Sequence, residues 1–292
     1  MNFTISKNGA TAICTTKGAE LISFEKDETE YCWYGLPEHW SGRAPVLFPI
    51  LCSPKDGIII ADGVEYTMPK HGLARHEEFT PVEVTPSKAV FELSENENIS
   101  AHYPYPFRLR VTHEVTEEGF RTTYGVKNTG DGKMTFCIGG HPGFNCPMNP
   151  GESFEDYSLI FDGYGDAEMT VTEPEHGYMC PKMPKLDLVK NGELPLRYSD
   201  YDNDALVIEG LSKKSVRLVN RSTGHGFVFD FEGFDALGIW TPVKMNSPFI
   251  CLEPWCGLPA STEETPDLEN KKYARSLEPG EVFEVSYGIT LI

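Results

Sequence analysis

Apolar positions along this chain seldom recur at three- and four-residue spacing. They fall into short runs rich in β-branched and aromatic residues, broken by glycine, proline, asparagine or aspartate. That period and punctuation predict strands joined by turns. Residues 3–7, 11–16 and 20–26 read as an opening meander. Residues 107–115 and 119–126, separated by Thr116-Glu117-Glu118, read as a hairpin. Asn128-Thr129-Gly130-Asp131-Gly132 is a turn signal leading into a strand over 134–138. Further strands are expected at 215–219, 226–231, 237–240, 249–252 and 282–291. With 22 prolines and 27 glycines spread through the chain, helices should be few and short. The pattern is all-β, and a large antiparallel β-sandwich is the natural way to bury it.

At 292 residues the chain is long for one domain, but all-β folds reach this size as single units. No Pro/Ser-rich linker and no fixed-period repeat interrupts it, so one domain over 1–292 is expected. The loosest stretch, residues 162–196, reads as a long excursion within that domain. A net charge of −19 without a basic stripe argues against nucleic acid and against anionic membrane surfaces. The longest apolar stretches, such as 45–52, are too short to span a bilayer. The amino terminus lacks the basic start and apolar segment of a signal peptide, which leaves a cytoplasmic location as the expectation. Eight cysteines are irregularly spaced with no Cys-x-x-Cys pair, and they read as buried free thiols.

Candidate chemistry concentrates in three short segments. Glu253 stands in Ile250-Cys251-Leu252-Glu253-Pro254-Trp255-Cys256-Gly257, a carboxylate at the end of an apolar run. Burial there would raise its pKa and make it a usable base, or it could be a core carboxylate bonded to backbone amides. His141 lies in Gly139-Gly140-His141-Pro142-Gly143-Phe144, where backbone specialists fix an imidazole against a pocket or simply make a turn. His71 lies in Lys70-His71-Gly72-Leu73-Ala74-Arg75, beside a bend that would let a ligand approach or would merely cover a packed ring. Arg75 and Asn145 are nearby groups able to hold a polyhydroxyl ligand. Trp240 and Trp255 suit either the core or a flat platform for a sugar ring. Nucleotide-binding glycine motifs, a Walker sequence, His-Glu-x-x-His and Gly-x-Ser-x-Gly are not found in the sequence. Neither a cofactor nor a metal is expected.

With those residues in view, the chain resembles the aldose 1-epimerase (galactose mutarotase) superfamily, and within it the LacX-like branch. The matching pieces are Ala44-Pro45-Val46-Leu47-Phe48-Pro49, His71-Gly72-Leu73-Ala74-Arg75 and Gly140-His141-Pro142. Asp202-Asn203-Asp204-Ala205-Leu206, Leu237-Gly238-Ile239-Trp240-Thr241 and Glu253-Pro254-Trp255-Cys256-Gly257 complete the set, in order, almost to the final strand. The resemblance implies a galactose mutarotase-like supersandwich with an open sugar cleft and no cofactor. It implies Glu253 as base, His141 as acid, His71 as a hydrogen-bond partner near the ring oxygen and Asp204 on sugar hydroxyls. One departure stands out: Cys52-Ser53 replaces the Gly-Arg that relatives carry after Phe-Pro, with Arg43, Lys55 or Arg75 as stand-ins.

The reaction so implied interconverts α and β anomers of a hexose. A bell-shaped pH dependence is expected, its acid limb set by Glu253 and its basic limb by His141. A hexose 6-phosphate on the same site is the alternative, since Lys70 and Arg75 flank His71. A non-catalytic sugar-binding or regulatory protein is the other, because folds outlive their chemistry. The expected partner is a small-molecule sugar, and the chain should be a monomer or weak homodimer.

Overall fold

The structure, a computed structural model, describes residues 1–173 and 175–292. Two large antiparallel sheets dominate, and among the described residues no helix reaches seven residues. None of the described helices is long and apolar enough to cross a membrane. The larger sheet has nine strands, in the order Glu193–Pro195, Tyr157–Ile160, Ser215–Asn220, Gly226–Asp230, Val282–Leu291, Gly119–Asn128, Phe107–Val115, Lys88–Ser94 and Thr80–Val84. Its central hairpin strands alternate. In Phe107–Val115 the odd-numbered side chains are buried, and in Gly119–Asn128 the even-numbered ones are. One face therefore meets the core and the other meets water.

The smaller sheet runs Glu168–Val171, Leu206–Glu209, Ala236–Trp240, Phe249–Cys256, Ile138–Gly140 and Val46–Leu47, and Gly143–Asn145 also pairs with Phe249–Cys256. It packs face to face on the nine-stranded sheet. Phe144 meets Phe227 at 4.7 Å between ring centroids. A Cβ on Gly140 would lie 2.8 Å from Tyr287 of the opposing sheet, so only glycine fits that approach. The amino-terminal meander, Asn2–Lys7, Ala10–Thr15, Leu21–Lys26 and Thr29–Glu30, packs on the larger sheet through Phe3 on Phe91 and Phe24 on Phe120.

Every residue of Phe249–Cys256 is buried, because this strand is covered on both faces. Ile250, Leu252 and Cys256 join the core between the sheets. Phe249 and Cys251 face the other way, against Trp33, Trp40 and Trp240, and Trp255 packs with Leu47, Leu51, Val207 and Ala236. Odd-numbered positions thus point to the outer face of the smaller sheet, and Glu253 is among them.

The strand expected at 249–252 continues to residue 256, so Glu253 lies inside it, not at its end. Pro254 is tolerated because the neighbouring ladder is interrupted there. Gly143–Asn145 pairs with residues 249–251, and Ile138 and Gly139 pair with 256 and 255. A missing N–H at the gap breaks no ladder bond. The 162–196 excursion contributes Glu168–Val171 to one sheet and Glu193–Pro195 to the other, and residue 174 within it lies outside the described residues.

Candidate active site

The interrupted ladder builds the centre of the site. Its pairs are Ile138↔Cys256, Gly139↔Trp255, Gly143↔Cys251 and Phe144↔Ile250. Carried across the gap, this single register sets His141 opposite Glu253. On the other side Glu253 faces Gly238, which offers no side chain. His141 Nε2 lies 3.3 Å from Glu253 Oε1. Both residues are buried, and among the described residues His141 Nδ1 and Glu253 Oε2 have no full hydrogen-bond partner. Unpaired buried polar atoms are rare enough to call for a ligand or a chemical role.

His71 arrives from a different part of the chain. Its ring meets that of His141 edge-on at 5.4 Å between centroids. The segment holding it is locked to residue 52 in both directions: His71 N–H donates to Cys52 O, and Cys52 N–H donates to His71 Nδ1 at 3.1 Å. Accepting at Nδ1 puts the proton of the neutral ring on Nε2, which leaves a donor for the cavity. Cys52 and His71 both have left-handed backbones, at φ 49° and 65°. Non-glycine residues adopt that region at a cost, and such strain clusters at functional sites. Cys52 thus occupies a conformation that suits glycine, the residue which the resemblance places there.

Around this trio a cavity of about 290 Å³ is lined by Trp40, Trp240 and Trp255, by Lys70, Arg75 and Asp204, and by Cys52 and Ala205. Trp40 stacks on the His141 ring at 4.8 Å, and Trp240 meets the same ring edge-on at 5.5 Å. Three indoles and a polar floor make the kind of surface on which a pyranose ring can lie, with its apolar face on an aromatic and its hydroxyls on fixed donors and acceptors. Neither Lys70 nor Arg75 forms an ion pair among the described residues. Asp204, at φ 75°, presents its carboxylate beside Gly177 of the excursion.

Burial governs the titration of the pair. It raises Glu253 from 4.5 to about 8, against the pull of Lys70 and Arg75 and with a further push from Asp204. Burial, helped by Arg75, lowers His141 from 6.5 to about 3. His71 is also held well below the ordinary histidine range, first by burial and then by His141, Lys70 and Arg75. At neutral pH the pair therefore holds one proton, on Glu253, and all three groups are uncharged. This reverses the expected assignment of the pH limbs, because leaving water penalises each charged form more than the two groups' mutual attraction restores it.

Of the residues expected at the site, Glu253, His141, His71, Asp204, Arg75 and Trp240 come together. Two do not. Asn145 donates from Nδ2 to Glu30 O and lies outside the cavity lining. Arg43 donates to Ile22 O and is likewise absent from the lining, so it does not stand in for the missing arginine. Lys55 is also committed elsewhere, donating to Thr262 O and Glu264 O. Trp40 was not expected. Its local sequence, Glu38-His39-Trp40-Ser41-Gly42, carries no apolar run or motif that would have flagged it.

Residues 1–290 match the family model described as aldose 1-epimerase. The plasmid and chromosomal forms of protein LacX from Lactococcus lactis subsp. lactis are each 37% identical to the chain over 284 residues, which is 95% of either length. Among solved structures, a galactose mutarotase-like protein from Lactobacillus casei ATCC 334 superimposes with a TM-score of 0.93 at 26% identity, covering 100% of both chains. A galactose mutarotase related enzyme from Lactobacillus acidophilus superimposes at 0.92 with 27% identity, covering 100% of this chain and 97% of that one.

Proposed function

The chain belongs to the aldose 1-epimerase family, and on that premise we propose that it interconverts the α and β anomers of a hexose by acid/base opening and closing of the pyranose ring. The observation that carries this reading is the buried Glu253–His141 pair, 3.3 Å apart on the floor of a cavity of about 290 Å³. A base and an acid close to one another are what the reaction needs. The base takes the proton of the C1 hydroxyl, the C1–O5 bond breaks with its electrons passing to O5, and the acid protonates O5. Rotation about C1–C2 presents the other face of the aldehyde, and closure runs the same transfers backwards.

Glu253 acts as the base and His141 as the acid. Because the shared proton rests on Glu253 before a sugar binds, it passes across the 3.3 Å gap to His141 as the C1 hydroxyl hydrogen-bonds to the carboxylate. His71 Nε2–H and Asp204 orient ring oxygen and hydroxyls, and the indoles exclude water. Each positioned proton-transfer group contributes about 10²–10⁴-fold in rate.

One observation favours a second reading, a hexose 6-phosphate as substrate. Lys70 and Arg75 line the cavity without ion-pair partners among the described residues in a chain of net charge −19, and they would suit a phosphate. Asp204 in the same cavity weighs against it. The test is anomer exchange measured by magnetisation transfer over a panel of free and phosphorylated aldoses. Faster exchange of glucose than of glucose 6-phosphate supports the first reading, the reverse order supports the second, and sugar binding without exchange of any aldose refutes both.

A further inference from the structure

Trp255 lies two residues beyond Glu253 on the same strand face, and its ring runs back toward the carboxylate. Gly139 is the cross-strand partner of Trp255 on one side, and Gly238 is the partner of Glu253 on the other. A Cβ on Gly139 would lie 2.9 Å from Trp255 Cδ1, and a Cβ on Gly238 would lie 2.3 Å from Cζ2 and 3.0 Å from Cε2. Cδ1 and Cε2 are the two carbons bonded to Nε1. The N–H edge of the indole is therefore held between two glycines, on the Glu253 side of its own backbone position.

Among the described residues that N–H is buried without a full acceptor, and Glu253 Oε2 is buried without a full donor. One is a donor only and the other an acceptor once ionised, so each supplies what the other lacks. A side-chain hydrogen-bonding interaction with Trp255 already favours the charged form of Glu253, although its geometry leaves both polar atoms short of a full hydrogen bond. Clearing both flanking strands of side chains admits the indole at this level, and a plain apolar wall would not need its N–H turned to the carboxylate.

We propose that Trp255 is a positioning residue of the acid/base pair, its indole N–H donating to Glu253 Oε2 when the carboxylate ionises. The indole then helps to decide which of Glu253 and His141 carries the shared proton. This rests on the proposed acid/base role of the pair, and it adds to that role a donor which makes the ionised carboxylate available. A stabilised carboxylate raises the fraction of pairs in the reactive arrangement, with Glu253 charged and His141 protonated.

The experiment is Trp255→Phe, which keeps an aromatic ring over Gly238 and removes the N–H. Benzothienylalanine in place of Trp255 removes the same N–H from a ring of the original shape and serves if the phenylalanine variant folds poorly. Glu253 is followed by carbon-13 NMR of labelled glutamate, its signal assigned by loss in Glu253→Gln. Its titration midpoint should rise by about one pH unit. In parallel kcat should fall about tenfold, with KM unchanged within about twofold and the basic limb of the rate profile moved upward. An unchanged midpoint overturns the proposal, as does a raised KM with an unmoved limb, which would make Trp255 a wall of the sugar site. The midpoint does not depend on turnover, so it decides the matter even if no aldose proves to be a substrate.

Discussion

Glu253 and His141 face each other across a break in a β-ladder, with His141 Nε2 3.3 Å from Glu253 Oε1. The register on both sides of the break dictates the pairing. The two groups are held by backbone, not by flexible loops, and a site built on strands keeps reacting groups in place at little entropic cost.

Activity should stay level across mid-pH and fall on both sides. The pair holds one proton between the lower value, about 3 at His141, and the upper value, about 8 at Glu253. A profile of kcat/KM against pH checks this, with the basic limb expected near 8. A basic limb near the ordinary histidine value would contradict it.

Stability should also depend on pH in a way that Glu253→Gln abolishes. Glu253 is raised from 4.5 to about 8, so within that window the folded chain holds a proton that the unfolded chain has released, and stability is lost as pH rises. His141, lowered from 6.5 to about 3, acts in the opposite sense and loses stability as pH falls through that window. The two oppose each other between 4.5 and 6.5, and above 6.5 only the Glu253 contribution remains. At roughly 1.4 kcal/mol per unit, the wild type should lose on the order of 2 kcal/mol to this residue between pH 6.5 and 8. Urea unfolding of both proteins at the two pH values measures the difference, and equal losses would remove Glu253 as the cause.

Gly238→Ala should destabilise the fold by about 1–3 kcal/mol, as overpacking of a tight interior does. The added Cβ would meet Trp255 Cζ2 at 2.3 Å. Displacing the indole should also lower turnover, because the ring borders Glu253. Thermal unfolding and initial rates check both. A variant as stable and as active as the wild type would show that the indole has room to move.

Asn145→Ala and Arg43→Ala should leave KM unchanged, because neither residue lines the cavity. Losing the bond from Asn145 Nδ2 to Glu30 O should cost about 1 kcal/mol of stability. Steady-state kinetics on any turned-over aldose decides this, and a several-fold rise in KM would bring either residue back to the sugar.

Much of the fold was legible because strand alternation and turn residues are local signals. The hairpin expected at 107–115 and 119–126 is present as Phe107–Val115 and Gly119–Asn128. Edge strands were harder to see. Thr80–Val84 is exposed at every position and so has no buried period to read. Glu253, His141 and His71 stood out as polar residues set among glycine, proline and apolar neighbours. The ladder that makes partners of Glu253 and His141 joins segments more than 100 residues apart, and only the pairing reveals it. Asn145 misled through nearness in sequence, since four residues of extended chain span about 13 Å. Trp40 escaped notice because its role comes from stacking on a ring that arrives from elsewhere.

Magnetisation transfer between the anomeric protons of a turned-over hexose, with wild-type protein, Glu253→Gln and His141→Asn in turn, tests the acid/base pair most directly. The wild type should accelerate exchange, and each variant should slow it by about 10²–10⁴-fold while still unfolding cooperatively as a folded protein at pH 7. Wild-type exchange no faster than in buffer, or variants that keep the full rate, would contradict the role given to Glu253 and His141.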